Sequence, residues 1–447
     1  MENIRKSGVS RREFMAGTAS LGAIGAAGMS WSPSAQAQAA AVNLMTWSAA
    51  VDQVKSHISA FEAQSGLKVG YENAPGAQFR QTLVTKFVGN APMDVMWVSD
   101  AWLPEFAEAQ WLAPIDGYSQ LTKYNSDIEQ YCVDSMVYKG KQYGNVYYTD
   151  FMAFLYNEEM LKRAGIAAPP TTWDEVVAQS LILKERNICE HPMLLSLQSD
   201  VTWYIEFMSA LAFSFGGNFT DNSGRAVMND PSGGVARSLE WVRDAVHKHK
   251  IVSPAATNTN EIAGLKAFGA GQHAFGIIPR YRLRPLNSPA ESQVAGNVRM
   301  AMMPKGGPNG TNATCGWVRF YGMSAATQRN AARAANAVKL IEWFGGKAMD
   351  SYTFQKMIIL DLGLPYCTKP LDNDADIIAF YDKFAGGNDV IRRQAAQTRK
   401  KDVVTTWFGE WNDVNIQATQ KAILNQVTVT AALNESAQAW ERLRTGK

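Results

Sequence analysis

Carboxylates recur beside aromatic rings at the points where predicted strands end. Val42–Trp47 reads as a strand and is followed by Ser48; Asp94–Val98 reads as another and is followed by Asp100 and Trp102. Tyr147-Tyr148-Thr149-Asp150 packs two phenols and a carboxylate into four residues, Trp203-Tyr204 follows Asp200, and Arg280-Tyr281-Arg282 follows a strand pattern over Ala274–Ile278. Trp317 and Tyr366 follow glycine-flanked turns. Aromatic faces cover C–H patches, and ionised groups make strong, short hydrogen bonds to hydroxyls. Together they suit a ligand with a hydroxyl edge and an aliphatic face. Arg280, Arg282 and Arg284 alternate, with Arg319 further along. They read either as surface charge or as a fork for a carboxylate, sulfonate or phosphate, which guanidinium matches bidentately.

The elements that would position these residues alternate. Val51, Val54, Ile58 and Phe61 recur at helical spacing up to Gly66, Leu67–Tyr71 reads as a strand, and Phe79, Leu83, Phe87 and Val88 mark a helix. A β-α-β-α-β order predicts a parallel sheet covered by helices, with ligands at the carboxyl ends of its strands. Thr172 and Glu175 form a capping-box pattern, and Asn229-Asp230-Pro231 predicts a helix start, continuing to about Lys250. Helix is also expected over Ile262–Gly271, Ala331–Phe344 and Ala431–Arg444, and strand over Val298–Met303. Trp97, Trp173, Trp241 and Trp343 read as packing residues.

Among 447 residues, 46% are apolar and 19% charged, which excludes a disordered or fibrous chain. The net charge of +2 gives no basic face for nucleic acid. Residues 1–39 carry Arg11-Arg12, an uncharged Ala/Gly-rich run and an Ala-x-Ala exit, the pattern of a cleaved twin-arginine export signal. That leader holds the whole excess of positive charge, so the remainder is formally neutral. Cys132, Cys189, Cys315 and Cys367 form no C-x-x-C pair, and the five histidines have no metal spacing, so no metal or cofactor is expected. Export permits disulfides without selecting a pairing; buried free thiols fit the same sequence.

Several segments, in order, resemble the extracellular solute-binding proteins of ABC importers, the sugar-binding family of maltose-binding type. They are Phe61–Val69, Met93-Asp94-Val95 to Leu112–Asp116, Lys141–Gly144 leading to Leu155–Glu158, and Ala164-Gly165-Ile166 with Pro170 and Thr172–Glu175. Phe268–Phe275 and Pro304-Lys305-Gly306 complete the set. The resemblance implies an α/β, type II periplasmic-binding-protein fold. One lobe would span 40–150 with a return over 302–350, and the other 151–301 with 351–447. Crossing strands would form a hinge, with the ligand held between the lobes by closure. It also implies a monomer that delivers a sugar to a membrane permease, and a cleft carboxylate at Asp150. The sequence departs from the family where Pro279-Arg280-Tyr281 stands in the expected cleft, which puts the ligand in question. On the resemblance and the residue pattern together, the candidate ligand contacts are Trp47, Ser48, Asp100, Trp102, Tyr148, Asp150, Trp203, Arg280, Tyr281, Trp317 and Tyr366, with no catalytic residue. The first alternative is a binding protein for an anionic sugar or organic anion, held by the arginines; behind it stand a glycoside hydrolase using Asp100 and Asp150 and an exported cofactor enzyme, for which no binding motif is present.

Overall fold

A computed structural model describes residues 41–198, 203–385 and 387–446. The expected export signal and Asp200 lie outside them. The strands are β1 (Val42–Trp47), β2 (Val69–Ala74), β3 (Val95–Ser99), β4 (Leu112–Ala113), β5 (Val137–Tyr138), β6 (Lys141–Gln142), β7 (Gly144–Asn157), β8 (Met193–Leu194), β9 (Phe275–Pro279), β10 (Val298–Ala301), β11 (Thr314–Ser324) and β12 (Thr398–Lys400). The main sheet runs β2-β1-β3-β11-β7-β9-β8, with β10 on β7 and both β4 and β12 on β11. β1 is parallel to β2 and β3, as the alternating pattern predicts. β11 is antiparallel to β3 and β7, and β7 antiparallel to β9.

β7 is 14 residues long and changes partners along its length. Gly144–Phe151 pairs with β11, whereas Met152–Tyr156 pairs with β9. β11 does the same, pairing with β3 at Arg319–Met323 and with β12 at Thr314–Gly316. These two strands therefore join two separate packed cores. The first holds Leu44, Phe61, Val95, Phe344 and Ile359; the second holds Phe154, Trp173, Phe207, Trp411 and Trp440. Buried residues between Tyr352 and Ala395 belong to the first core, and those between Val403 and Trp440 to the second. The first core also takes in Phe268, Leu283, Leu286 and Val298, and the helices Ala375–Ala385 and Asn388–Ala395 pack on β10 from the stretch 151–301.

Local rules account for several helix ends. Gly66 closes Val51–Ser65 at φ 70°, a left-handed position that suits glycine, and its N–H bonds the Glu62 carbonyl. Thr172 caps Trp173–Glu185 by accepting from the Glu175 N–H at 3.1 Å. One start differs: the helix expected from Pro231 begins at Gly234 and ends at His247. Asp230 instead accepts from the Ser232 N–H at 2.9 Å in a turn. The reason is close packing, because a Cβ on Gly234 would lie 2.3 Å from the Gly217 nitrogen. Only the Gly233-Gly234 pair lets the helix start against that backbone.

Candidate functional site

β1 and β3 lie side by side, so their carboxyl ends bring Trp47 and the Asp100–Trp102 turn together. Trp47 is half-buried and stacks on Trp97 (5.3 Å, 11°) and on Tyr148 of β7 (5.8 Å, 11°). Trp102 meets Trp97 edge-on at 5.4 Å and stacks on Phe79 at 6.4 Å. Trp97, read from sequence as core, is thus the ring that ties these aromatics into one platform. The Trp47 indole N–H reaches the Tyr147 hydroxyl at 3.4 Å.

Beside the platform lies a buried set of four charges. Arg319 stands opposite Tyr148 in the β11–β7 register, next to a bulge at Arg319/Phe320. Its Nη1 donates to Asp100 Oδ1 at 2.9 Å. Lys401 Nζ lies 3.1 Å from Asp100 Oδ2 and 2.9 Å from Glu206 Oε1. The Lys401 and Glu206 side chains are 1% and 6% exposed. Burial opposes the Lys401 charge, but Asp100 and Glu206 outweigh it and hold the ammonium above its usual range. Burial pushes Glu206 up, with Lys401 and Arg319 pulling against it. Burial likewise pushes the Tyr148 phenol up to about 12, Arg319 opposing. A groove of about 290 Å³ has Asp100 and Lys401 in its lining, with Asp134, Lys139, Lys400 and Asp402.

Tyr281 lies in the turn after β9 and is partly buried against the second core. Its hydroxyl donates to Glu261 at 3.4 Å and the Arg282 guanidinium lies 4.4 Å from its ring centre. Trp203 opens the helix Trp203–Ser214 and is half-buried, one turn before Glu206.

Five expected contacts are engaged elsewhere. Asp150 is fully buried; its oxygens accept from Arg280 Nε (3.2 Å), Phe151 N–H (2.8 Å) and Tyr281 N–H (3.1 Å). Burial pushes its carboxyl up to about 6, with Arg280 pulling against it. Arg280, expected as surface charge or an anion fork, is 2% exposed; besides Asp150 it bonds the Tyr366 carbonyl at 3.1 Å. The pair neutralises itself inside the hinge. Trp317, opposite Asp150 in the register, is 3% exposed within the second core, and the Tyr366 hydroxyl is bound to Asp372 at 2.8 Å. Ser48 is exposed and bonds Asn73 at 2.9 Å.

Two members of the charged set were not singled out from the sequence. Glu206 carries a signal, because it is the sole charged residue in a helix whose other eleven positions are polar or apolar without charge. Lys401 carries none, since Arg399-Lys400-Lys401-Asp402 reads as an ordinary solvated run.

Two cores joined by shared strands, with aromatics and paired charges from both sides meeting at the junction, define a hinged, two-lobed binding protein. The chain belongs to the bacterial extracellular solute-binding protein family, which it matches over residues 44–350. Maltose-bound MalE3 of T. maritima superposes with a TM-score of 0.73 at 21% identity, covering 90% of this chain and 99% of that one. The cyclic alpha-maltosyl-1,6-maltose binding protein of Arthrobacter globiformis gives 0.77 at 16%, covering 91% and 99%. A solute-binding protein of Agrobacterium vitis S4 with bound D-mannitol gives 0.68 at 20%, covering 91% and 98%. Among curated proteins, a binding protein of Brucella abortus (strain 2308) is 30% identical over 126 residues. That match spans 28% of this chain and 30% of the relative's length.

Proposed function

We propose that the chain captures a neutral sugar or sugar alcohol between its lobes and delivers it, as an exported monomer, to the membrane permease of an ABC importer. The observation that carries this reading is the Trp47–Tyr148–Trp97 platform with the Arg319 guanidinium of the Asp100–Arg319–Lys401–Glu206 set 5.8 Å from the Trp97 ring centre. The rings offer a face for C–H groups, and the charges offer donors and acceptors for hydroxyls. The first lobe would span 40–150 with a return over 302–350, and the second 151–301 with the C-terminal helices 351–447. Closure needs ligand contacts that exist only in the closed state, which residues drawn from both lobes supply. Family membership and the maltose and mannitol in the structural relatives point the same way.

Charge balance favours a neutral ligand over an anionic one. Two acids already match Arg319 and Lys401, and Asp150 matches Arg280. An anion would have to displace one of these carboxylates. The Asp100/Asp150 hydrolase alternative loses its second group for the same reason. Thermal shift against neutral sugars, sugar alcohols, uronic acids and sugar phosphates is the test. A true ligand at 100 times its Kd stabilises by about 2.7 kcal/mol. Shifts confined to the anions, or hydrolysis of a bound glycan, would overturn the reading.

A further inference from the structure

Two of the four buried free cysteines share one packed cluster beneath the crossing strand β7. Ile128 and Thr368 form an antiparallel bridge, and the Glu129 N–H donates to the Cys367 carbonyl at 2.9 Å. The helix Gln130–Ser135 begins immediately afterwards and has Cys132 as its third residue, its N–H on the Glu129 carbonyl at 2.9 Å. Both side chains are packed in the first core. Cys132 Sγ donates to Thr149 Oγ1 at 3.4 Å, and Thr149 Oγ1 donates to the Trp317 carbonyl at 2.7 Å. A thiol–hydroxyl–carbonyl chain therefore runs from Cys132 to the backbone of β11. Cys189 and Cys315 belong to the second core, where Cys315 Sγ donates to the Gly316 carbonyl at 3.7 Å.

We infer that Cys132 and Cys367 are a disulfide-forming pair. In the reaction a Cys thiolate attacks a small disulfide oxidant and expels one thiolate. The second Cys thiolate then attacks the mixed disulfide and expels the other. Two protons leave the cysteines, two electrons pass to the oxidant, and one S–S bond forms. Both residues are buried, at 0% and 3% exposure, so local opening of the strand-supporting segment sets the rate. That segment also matters to the hinge, because the Pro365 carbonyl accepts from the Thr149 N–H at 3.4 Å and the Tyr366 carbonyl accepts from Arg280. The bond would tie the short helix to this support. Its physiological occurrence rests on the export reading, since only an oxidising compartment favours it.

The test is thiol titration and peptide mapping of the full chain, purified reduced and then treated with oxidised glutathione. The expected result is two titratable thiols in denaturant where the reduced chain has four, and a Cys132–Cys367 linked peptide that dithiothreitol removes. Mild urea should speed the reaction. Four thiols after prolonged oxidation in urea too mild to unfold the chain, or a link through Cys189 or Cys315, would overturn the inference. Cys189→Ser, outside the cluster, should leave the link intact, so mapping stands even if Cys132→Ser fails to fold. Failure of export is seen separately, as absence of the chain from a periplasmic extract while the purified protein still forms the link.

Discussion

Lys401 and Glu206 meet through a 2.9 Å charge-assisted hydrogen bond across 195 positions of sequence, with both side chains almost wholly buried. Asp100, from the other core, accepts from the same ammonium. One lysine thus holds a carboxylate from each side of the cleft. Lys401→Met should leave Glu206 as an uncompensated buried charge and cost about 3–5 kcal/mol. Adding Glu206→Gln should recover a large part of that loss. Urea unfolding of the single and double variants measures both; additive losses would refute the pairing.

The platform predicts a binding effect without a large stability effect. Trp47 is half-buried and packs against the first core from its edge. Trp47→Ala should weaken the affinity for the best neutral ligand by about 1–2 kcal/mol, roughly ten-fold or somewhat more. Isothermal titration reads this directly, and an unchanged Kd would remove Trp47 from the site.

Arg280 should behave as a structural ion rather than a ligand fork. Arg280→Met strands Asp150, and about 3–5 kcal/mol of stability should be lost. Combining it with Asp150→Asn should restore part of that stability. The preference between neutral and anionic sugars should stay as in the wild type. A selective loss of anion binding would reverse the assignment.

His57 predicts an acid-side stability slope. It is 2% exposed, with Nε2 2.9 Å from the Trp343 carbonyl, and burial lowers its pKa from 6.5 to about 4. The unfolded chain therefore binds the extra proton between about pH 4 and 6.5. Stability is full above that window and falls as the pH drops through it, by about 3 kcal/mol in total. The raised Asp150 carboxyl contributes the opposite slope over about pH 4–6, so the His57 part is read as the difference between the wild-type and His57→Gln urea midpoints against pH.

Strand ends and helix periods made much of this architecture readable. β1 occupies the span expected of it, and the ends of β1 and β3 deliver Trp47, Asp100 and Trp102 to one place because parallel neighbours finish together. What local pattern could not reveal was pairing across long separations. Asp150 and Arg280 lie 130 positions apart, and each alone resembles a free ligand group. Lys401 sits in a charged run whose burial depends on β12 joining β11. The helix after Asp230 began late because of a backbone contact with Gly217, which no capping rule encodes.

Tyr148 and Arg319 face each other on β7 and β11, the two strands that also join the cores. Substitutions there change recognition and the balance between open and closed forms in one stroke. Trp47 and Trp102, at strand ends within one core, are free of that constraint. Divergence towards new ligands, by natural drift or by design, is therefore expected to pass through the strand-end aromatics first and to leave the crossing pair until last.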